Sequence, residues 1–157
     1  MSSFTIDDAE FPADEGDVIR MMRDYADWLG VDIGFQGFES EIKALPGEYA
    51  PPSGALLVLR DSDGQPVGCA AFRDLGQGRC ELKRMYLDIA ARGQGQGRAL
   101  GEAIMERARA AGYRRIVLDT LDYMGAAVKL YDRLGFQPIA PYYNNPLPGA
   151  IYFGRDL

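Results

Sequence analysis

The sequence predicts an α+β fold: a mixed sheet that opens as an antiparallel meander, takes one parallel βαβ step and is flanked by about four helices. Three observations carry this. Two glycine turns, Asp61-Ser62-Asp63-Gly64 and Gly76-Gln77-Gly78, separate three strand-like runs, since glycine accepts the positive φ that tight hairpins need. Between Cys80 and Thr120 a strand, a long stretch of helical period and a second strand follow one another, which requires a crossover and a parallel pair. The length of 157 residues, 47% of them hydrophobic, fits one domain (residues 1–157) around a proper core.

Taken in order, residues 3–8 read as a short first strand. From Asp14 to Leu29 the apolar positions Val18, Met21, Met22, Tyr25, Trp28 and Leu29 recur at helical spacing. Asp14 and Glu15 suit the positive end of that helix, and Gly30 ends it. A looser helix from Phe38 to Leu45 stops at Pro46-Gly47. Residues 55–60, 67–72 and 80–87 are the strands of the meander. The pattern then turns helical from about Gly95 to Gly112. Arg115 to Thr120 is a strand and Met124 to Leu134 a helix closed by Gly135. Residues 136–139 and 150–154 are the last two strands, joined by a Pro- and Asn-rich loop.

Composition excludes several functions. A net charge of −6 disfavours nucleic acid, whose phosphates need a basic face. It is compatible with a cationic partner such as an amine. There is no histidine, so acid–base chemistry falls to Glu, Asp, Tyr, Lys, Cys or water. Cys69 and Cys80 cannot build a zinc site without histidine and read as small buried residues in strands, so no metal is expected. The acidic start MSSFTIDDAEF lacks the character of a signal peptide, and the longest apolar run, residues 55–59, is far too short for a membrane span. A cytoplasmic protein without membrane association is the expectation.

The most informative segment is Arg92-Gly93-Gln94-Gly95-Gln96-Gly97-Arg98-Ala99-Leu100, between a strand and a long helix. Its glycines let the backbone turn sharply and approach a ligand. The first N–H groups of the helix have no internal partner and lie at the positive end of its dipole, which makes an anion site suited to phosphate. A P-loop would need Gly-Lys-Ser/Thr, which is absent, and a dinucleotide fingerprint would need glycine where Arg98 stands.

With its flanks, this segment resembles motif A of the GNAT acetyltransferases, Gln/Arg-x-x-Gly-x-Gly/Ala, matched by Arg92, Gly95 and Gly97. Ala127-Val128-Lys129-Leu130-Tyr131-Asp132-Arg133-Leu134-Gly135-Phe136 is similar to motif B, Ala-x-x-Leu-Tyr-x-x-x-Gly-Phe. The likeness is specific from about Val67 to Phe136; where many members carry Asn, this chain has Met124. The resemblance implies an acetyl-CoA-dependent N-acetyltransferase. Acetyl-CoA would enter between splayed fourth and fifth strands. Its pantetheine arm would pair with Met85, Tyr86 and Leu87, and its pyrophosphate would lie on Arg92, Gly93, Gln94, Gly95, Gln96, Gly97 and Arg98. Tyr131 matches the family tyrosine near the thioester sulfur and is the expected acid for the leaving thiolate; its pKa as a free side chain, about 10, is close to that of a thiol. Glu81 is the expected base, on a strand whose residues 81, 83, 85 and 87 share one face, although water chains serve many relatives. Trp28, Phe35, Gln36, Phe38, Tyr142, Tyr143, Asn144 and Asn145 are the expected acceptor contacts, aromatic rings and amides that suit a small polar or cationic ligand. The acceptor is a primary amine of a small molecule or of a protein N-terminus. A non-catalytic acyl-CoA sensor is the alternative, and a homodimer is compatible with either.

Overall fold

The computed structural model describes residues 3–157. Its strands are β1 (Thr5–Asp8), β2 (Ala55–Arg60), β3 (Pro66–Gly76), β4 (Arg79–Leu87), β5 (Arg115–Leu121), β6 (Gln137–Pro138) and β7 (Ala150–Asp156). They form one sheet of seven strands in the order β1-β2-β3-β4-β5-β7-β6. Every neighbouring pair is antiparallel except β4 with β5. Helices α1 (Glu15–Leu29) and α2 (Phe38–Ala44) cover one face; α3 (Gln96–Ala110) and α4 (Gly125–Arg133) cover the other.

Because both faces are covered, the central strands are apolar throughout, and their period of two divides them between two cores. In β2, Leu57 packs with Phe72, Leu100, Ile104 and Ile116 under α3, whereas Leu56 and Val58 pack with Val18, Met21 and Met22 under α1. Cys69 and Cys80 are buried in these cores, and burial pushes both thiols up to about 12. They therefore remain protonated, inert packing residues at neutral pH. Two boundaries differ from expectation. β3 runs to Gly76 instead of stopping at Phe72, because the hairpin with β4 continues to the Gly76–Arg79 pair. Asp14 stands before α1 but does not cap it with its side chain; its carboxylate instead accepts from the Glu10 N–H (2.8 Å) and pairs with Arg60 (2.6 Å).

Two departures from regular pairing shape the site. First, β4 and β5 pair only through Arg79–Arg115, Cys80–Ile116 and Glu81–Val117, while β5 remains paired with β7 along its whole length. Beyond Glu81 the edge of β4 that faced β5 is open. Second, β4 carries a bulge. Ala71 lies opposite Lys83 and Cys69 opposite Tyr86, so Arg84 and Met85 both stand against Ala70. Arg84 takes φ +58°, the left-handed conformation that such an extra residue often adopts. The bulge resets the alternation of side chains. Residues 81, 83, 85 and 87 do not share a face, contrary to the sequence expectation: Glu81 and Lys83 point with Ala71 toward α1 and α2, whereas Met85 and Leu87 join the α3 and α4 core.

Candidate active site

The turn into α3 is made by Gly93 and Gly95, both at φ +75°, a conformation that costs a side-chain-bearing residue strain. From Gly93 to Arg98 no backbone N–H donates to another group among the described residues; the first helical bond is from Ala99 N–H to Gly95 O, at 3.2 Å. This is a run of free donors at the positive end of a fifteen-residue helix, the electrostatics of an anion site. It borders a cavity of about 510 Å³ whose other walls are Met85, Tyr86 and Leu87 on β4 and Ala127, Leu130 and Tyr131 on α4. A side chain at Gly97 would crowd this wall: a Cβ there would lie 3.3 Å from Leu130 and 3.4 Å from Leu87. Arg92 organises this wall from within. Its Nε donates to Leu87 O at 2.9 Å, and its guanidinium lies 5.1 Å from the Trp28 ring and 5.9 Å from the Tyr86 ring.

A second, narrower cavity of about 40 Å³ opens on the other side of Tyr131. Its walls come from α1 (Tyr25, Leu29), the segment before α2 (Ile33, Gln36), β4 (Leu82 to Met85), β5 (Asp119 to Leu121) and the loop before β7 (Asn145, Leu147). Tyr131 and Met85 line both cavities. The Tyr131 ring is fixed edge-on to Phe136 with centroids 5.7 Å apart. Its hydroxyl has no hydrogen-bond partner among the described residues, yet no fully buried side-chain polar atom is left unpartnered, so the hydroxyl opens into the cleft. Burial, with Tyr25 and Asp119 adding to it, raises the phenol well above the ordinary tyrosine range. It stays protonated. Asp119 Oδ2 accepts from Asn145 Nδ2 (2.7 Å) and from the Tyr143 hydroxyl, while Oδ1 has no partner among the described residues.

These features have a known counterpart. The model of the Acetyltransferase (GNAT) family matches residues 18–136. The chain belongs to the GNAT acetyltransferase family. An uncharacterized N-acetyltransferase of Schizosaccharomyces pombe is 37% identical over 99% of this chain and 96% of its own. An acetyltransferase of the GNAT family from Staphylococcus aureus superposes with a TM-score of 0.82 over 98% of this chain and 99% of that one, at 17% identity. The structure of yncA from Salmonella typhimurium, solved with its cofactor acetyl-CoA, superposes at 0.69 over 98% and 94%, at 21% identity. The protein is an acetyl-CoA-dependent N-acetyltransferase with the mixed sheet of that family.

In this acetyltransferase the expected donor residues Met85, Tyr86, Leu87, Arg92, Gly93, Gly95, Gln96, Gly97, Arg98 and Tyr131 line the larger cavity. Gln94 does not. It is exposed and folds back to donate from Nε2 to Ala90 O at 2.8 Å. Of the expected acceptor contacts, Gln36 and Asn145 line the smaller cavity. Trp28 lines the larger cavity instead. Phe35 is exposed, and Phe38 is buried beneath the Arg84 guanidinium, 5.3 Å from it. Tyr142 and Tyr143 form a roof and not a lining, and Asn144 is exposed. Tyr142, Tyr143 and Tyr152 pack with centroids 5.4 to 5.9 Å apart, and the Tyr152 hydroxyl donates to Tyr143 O (2.7 Å) while accepting from Asn145 N–H (3.0 Å).

Glu81, the expected base, lines neither cavity. It is 1% exposed; Oε1 takes Arg73 Nε at 2.7 Å and Oε2 takes the Tyr142 hydroxyl at 2.6 Å. Both oxygens are committed, so the carboxylate ties the roof to β3. Asp119 is the carboxylate on the cavity wall, and sequence reasoning passed over it. The available signal was an acid inside the apolar strand Ile116-Val117-Leu118-Asp119, past the point where the parallel pairing ends.

Proposed function

We propose that this acetyltransferase passes the acetyl group of acetyl-CoA directly to the primary amine of a small molecule held in the cavity beneath the Tyr142–Tyr152 roof. The observation that carries this reading is that one phenol, Tyr131, borders both cavities, so that donor and acceptor spaces meet at a single proton source. A narrow, roofed acceptor space favours a small molecule over a protein N-terminus.

The free N–H groups from Gly93 to Arg98 hold the pyrophosphate of the donor, and the open edge of β4 at Met85, Tyr86 and Leu87 lies along its pantetheine arm. When bound, acetyl-CoA supplies an acetyl group activated as a thioester. Asp119 Oδ1 attracts the acceptor's ammonium and takes its proton, directly or through water, leaving a neutral nucleophile. Tyr131 keeps its proton until the thiolate departs, gives it up from the hydroxyl there, and as phenolate takes the second proton that the attacking nitrogen sheds on becoming an amide. Glu81 positions the roof through Tyr142 and remains outside the proton path.

The test is thiol release from acetyl-CoA against an amine panel, with the product mass checked. Turnover in the wild type that collapses in Tyr131→Phe supports the reading. Saturable acetyl-CoA binding with no thiol release on any amine would make the protein a sensor instead.

A further inference from the structure

The wall of the acceptor cavity holds a buried lysine whose nearest counter-charge is distant and shared. Arg73, Lys83 and Arg84 stand together on the α1/α2 side of β3 and β4. Arg73 sits 2.7 Å from Glu81 and 2.9 Å from Glu48. Arg84 forks onto Glu41, with Nε and Nη2 each 2.8 Å from a carboxylate oxygen. Lys83 has no carboxylate within hydrogen-bond reach. Its Nζ reaches Gln36 Oε1 at 3.4 Å, an oxygen that Arg84 Nη1 already holds at 2.8 Å. The nearest carboxylate oxygen to it, Glu81 Oε1 at 3.9 Å, is engaged by Arg73.

The Lys83 side chain is 9% exposed. A buried ammonium short of counter-charge is costly, and a site retains one where a ligand completes it. Burial first, and the Arg84 cation second, hold this lysine below the ordinary lysine range, which follows from the same shortage. Lys83 and Gln36 border the acceptor cavity on one side and a neighbouring cavity floored by Glu41 and Arg73 on the other. Across the acceptor cavity, on the strand that splays away, stands Asp119. One wall therefore offers cations, Lys83 and the Glu41-paired Arg84, and the other an anion, while the rest of the lining mixes aliphatic Leu29, Ile33, Leu121 and Leu147 with Tyr25, Thr120 and Asn145.

Resting on the reading that this cavity holds the amine, we propose that the acceptor also carries a carboxylate, received by Lys83, so that the substrate class is a small amino acid or its close analogue. The amine faces Asp119 and Tyr131, and the carboxylate faces Lys83 and the Gln36 amide. The two charges of the ligand then complete the two half-sites of the cavity, despite the acidic balance of the whole protein.

The experiment compares three matched sets of probes on the CoA-saturated protein: the standard L-amino acids, their carboxamides, and the decarboxylated amines with the same side chains. Two readouts run in parallel, equilibrium binding by calorimetry and thiol release from acetyl-CoA. We expect at least one amino acid to bind and react roughly 10- to 100-fold better than its carboxamide, the range for losing a hydrogen bond to a charged group. Lys83→Met should erase that difference, and Lys83→Arg should keep most of it. Equal handling of acid, amide and decarboxylated amine would overturn the carboxylate assignment while leaving the acetyltransferase reading intact. Binding that depends on Lys83 without any thiol release would do the reverse. Absence of binding by every amino acid also overturns the proposal. Comparison of the probes on the wild type needs no variant, so a Lys83→Met protein that fails to fold does not blunt the test.

Discussion

The two cavities that meet at Tyr131 are built from different materials. On the proposed reading the donor side is main chain: consecutive N–H groups from Gly93 to Arg98 and the unpaired edge of β4, with Gly93 and Gly95 at the positive φ that the turn requires. The acceptor side is side chain: Tyr25, Gln36, Lys83, Asp119 and Asn145, brought from five separate segments. A main-chain site resists change, because substitution cannot readily alter an amide N–H and can only block it. A side-chain site is open to change one residue at a time. Under the proposed function, donor binding is thus the fixed half of this enzyme and acceptor choice the adjustable half.

Substitutions on each side should separate the halves, and the boundary residue should give the largest effect. Tyr131→Phe is expected to lower kcat by roughly 100- to 10,000-fold, the usual range for a general acid, while the Kd for CoA moves far less. Its raised phenol also sets a sign. The acid form persists beyond the ordinary tyrosine value of 10.0, so a pH–rate profile should show no alkaline decline from Tyr131 until above that pH. A decline lower down that vanishes in the Phe variant would contradict the assignment.

Gly95→Val forces a β-branched residue into φ +75° in the middle of the donor cradle. CoA affinity, measured by calorimetry, should fall about 100-fold through loss of one or two charge-assisted hydrogen bonds. If affinity survives, the cradle is not where the pyrophosphate lies. Asp119→Asn belongs to the other half. Its kcat/KM for the amine should drop roughly 100-fold, at the low end for acid–base catalysis because water can substitute, with CoA binding retained. Loss of CoA binding as well would erase the distinction between the halves. Glu81→Gln is the mildest. Removing a buried charge paired with Arg73 should lower stability by about 1–3 kcal/mol in denaturant unfolding. The folded fraction should keep most of its turnover. A collapse of turnover at unchanged stability would restore Glu81 as the base.

The bulge at Arg84 explains why Glu81 was attractive and why it is out of place. Counting by twos along a regular strand puts residue 81 on the face of 85 and 87, which line the larger cavity. One extra residue between Lys83 and Tyr86 reverses that parity, and nothing in the run Glu81-Leu82-Lys83-Arg84-Met85-Tyr86-Leu87 announces it, since Arg84 is neither glycine nor asparagine. The aromatic loop shows a related limit. Its composition pointed to a ligand site, yet Tyr142 and Tyr143 spend their hydroxyls on Glu81 and Asp119 and serve as a roof.

By itself the sequence determined what local rules govern: the strand and helix order, the glycine turns, the cradle ahead of α3, and the Leu-Tyr-x-x-x-Gly-Phe run that supplies Tyr131. Each depends on residues a few positions apart, where backbone sterics and hydrophobic period act directly. Tertiary structure alone decided the acceptor half. Which carboxylate reaches the cleft, which lysine must share a distant counter-charge, and where β4 leaves β5 depend on side chains as far apart as Gln36 and Asn145, and their meeting follows from how the whole sheet packs.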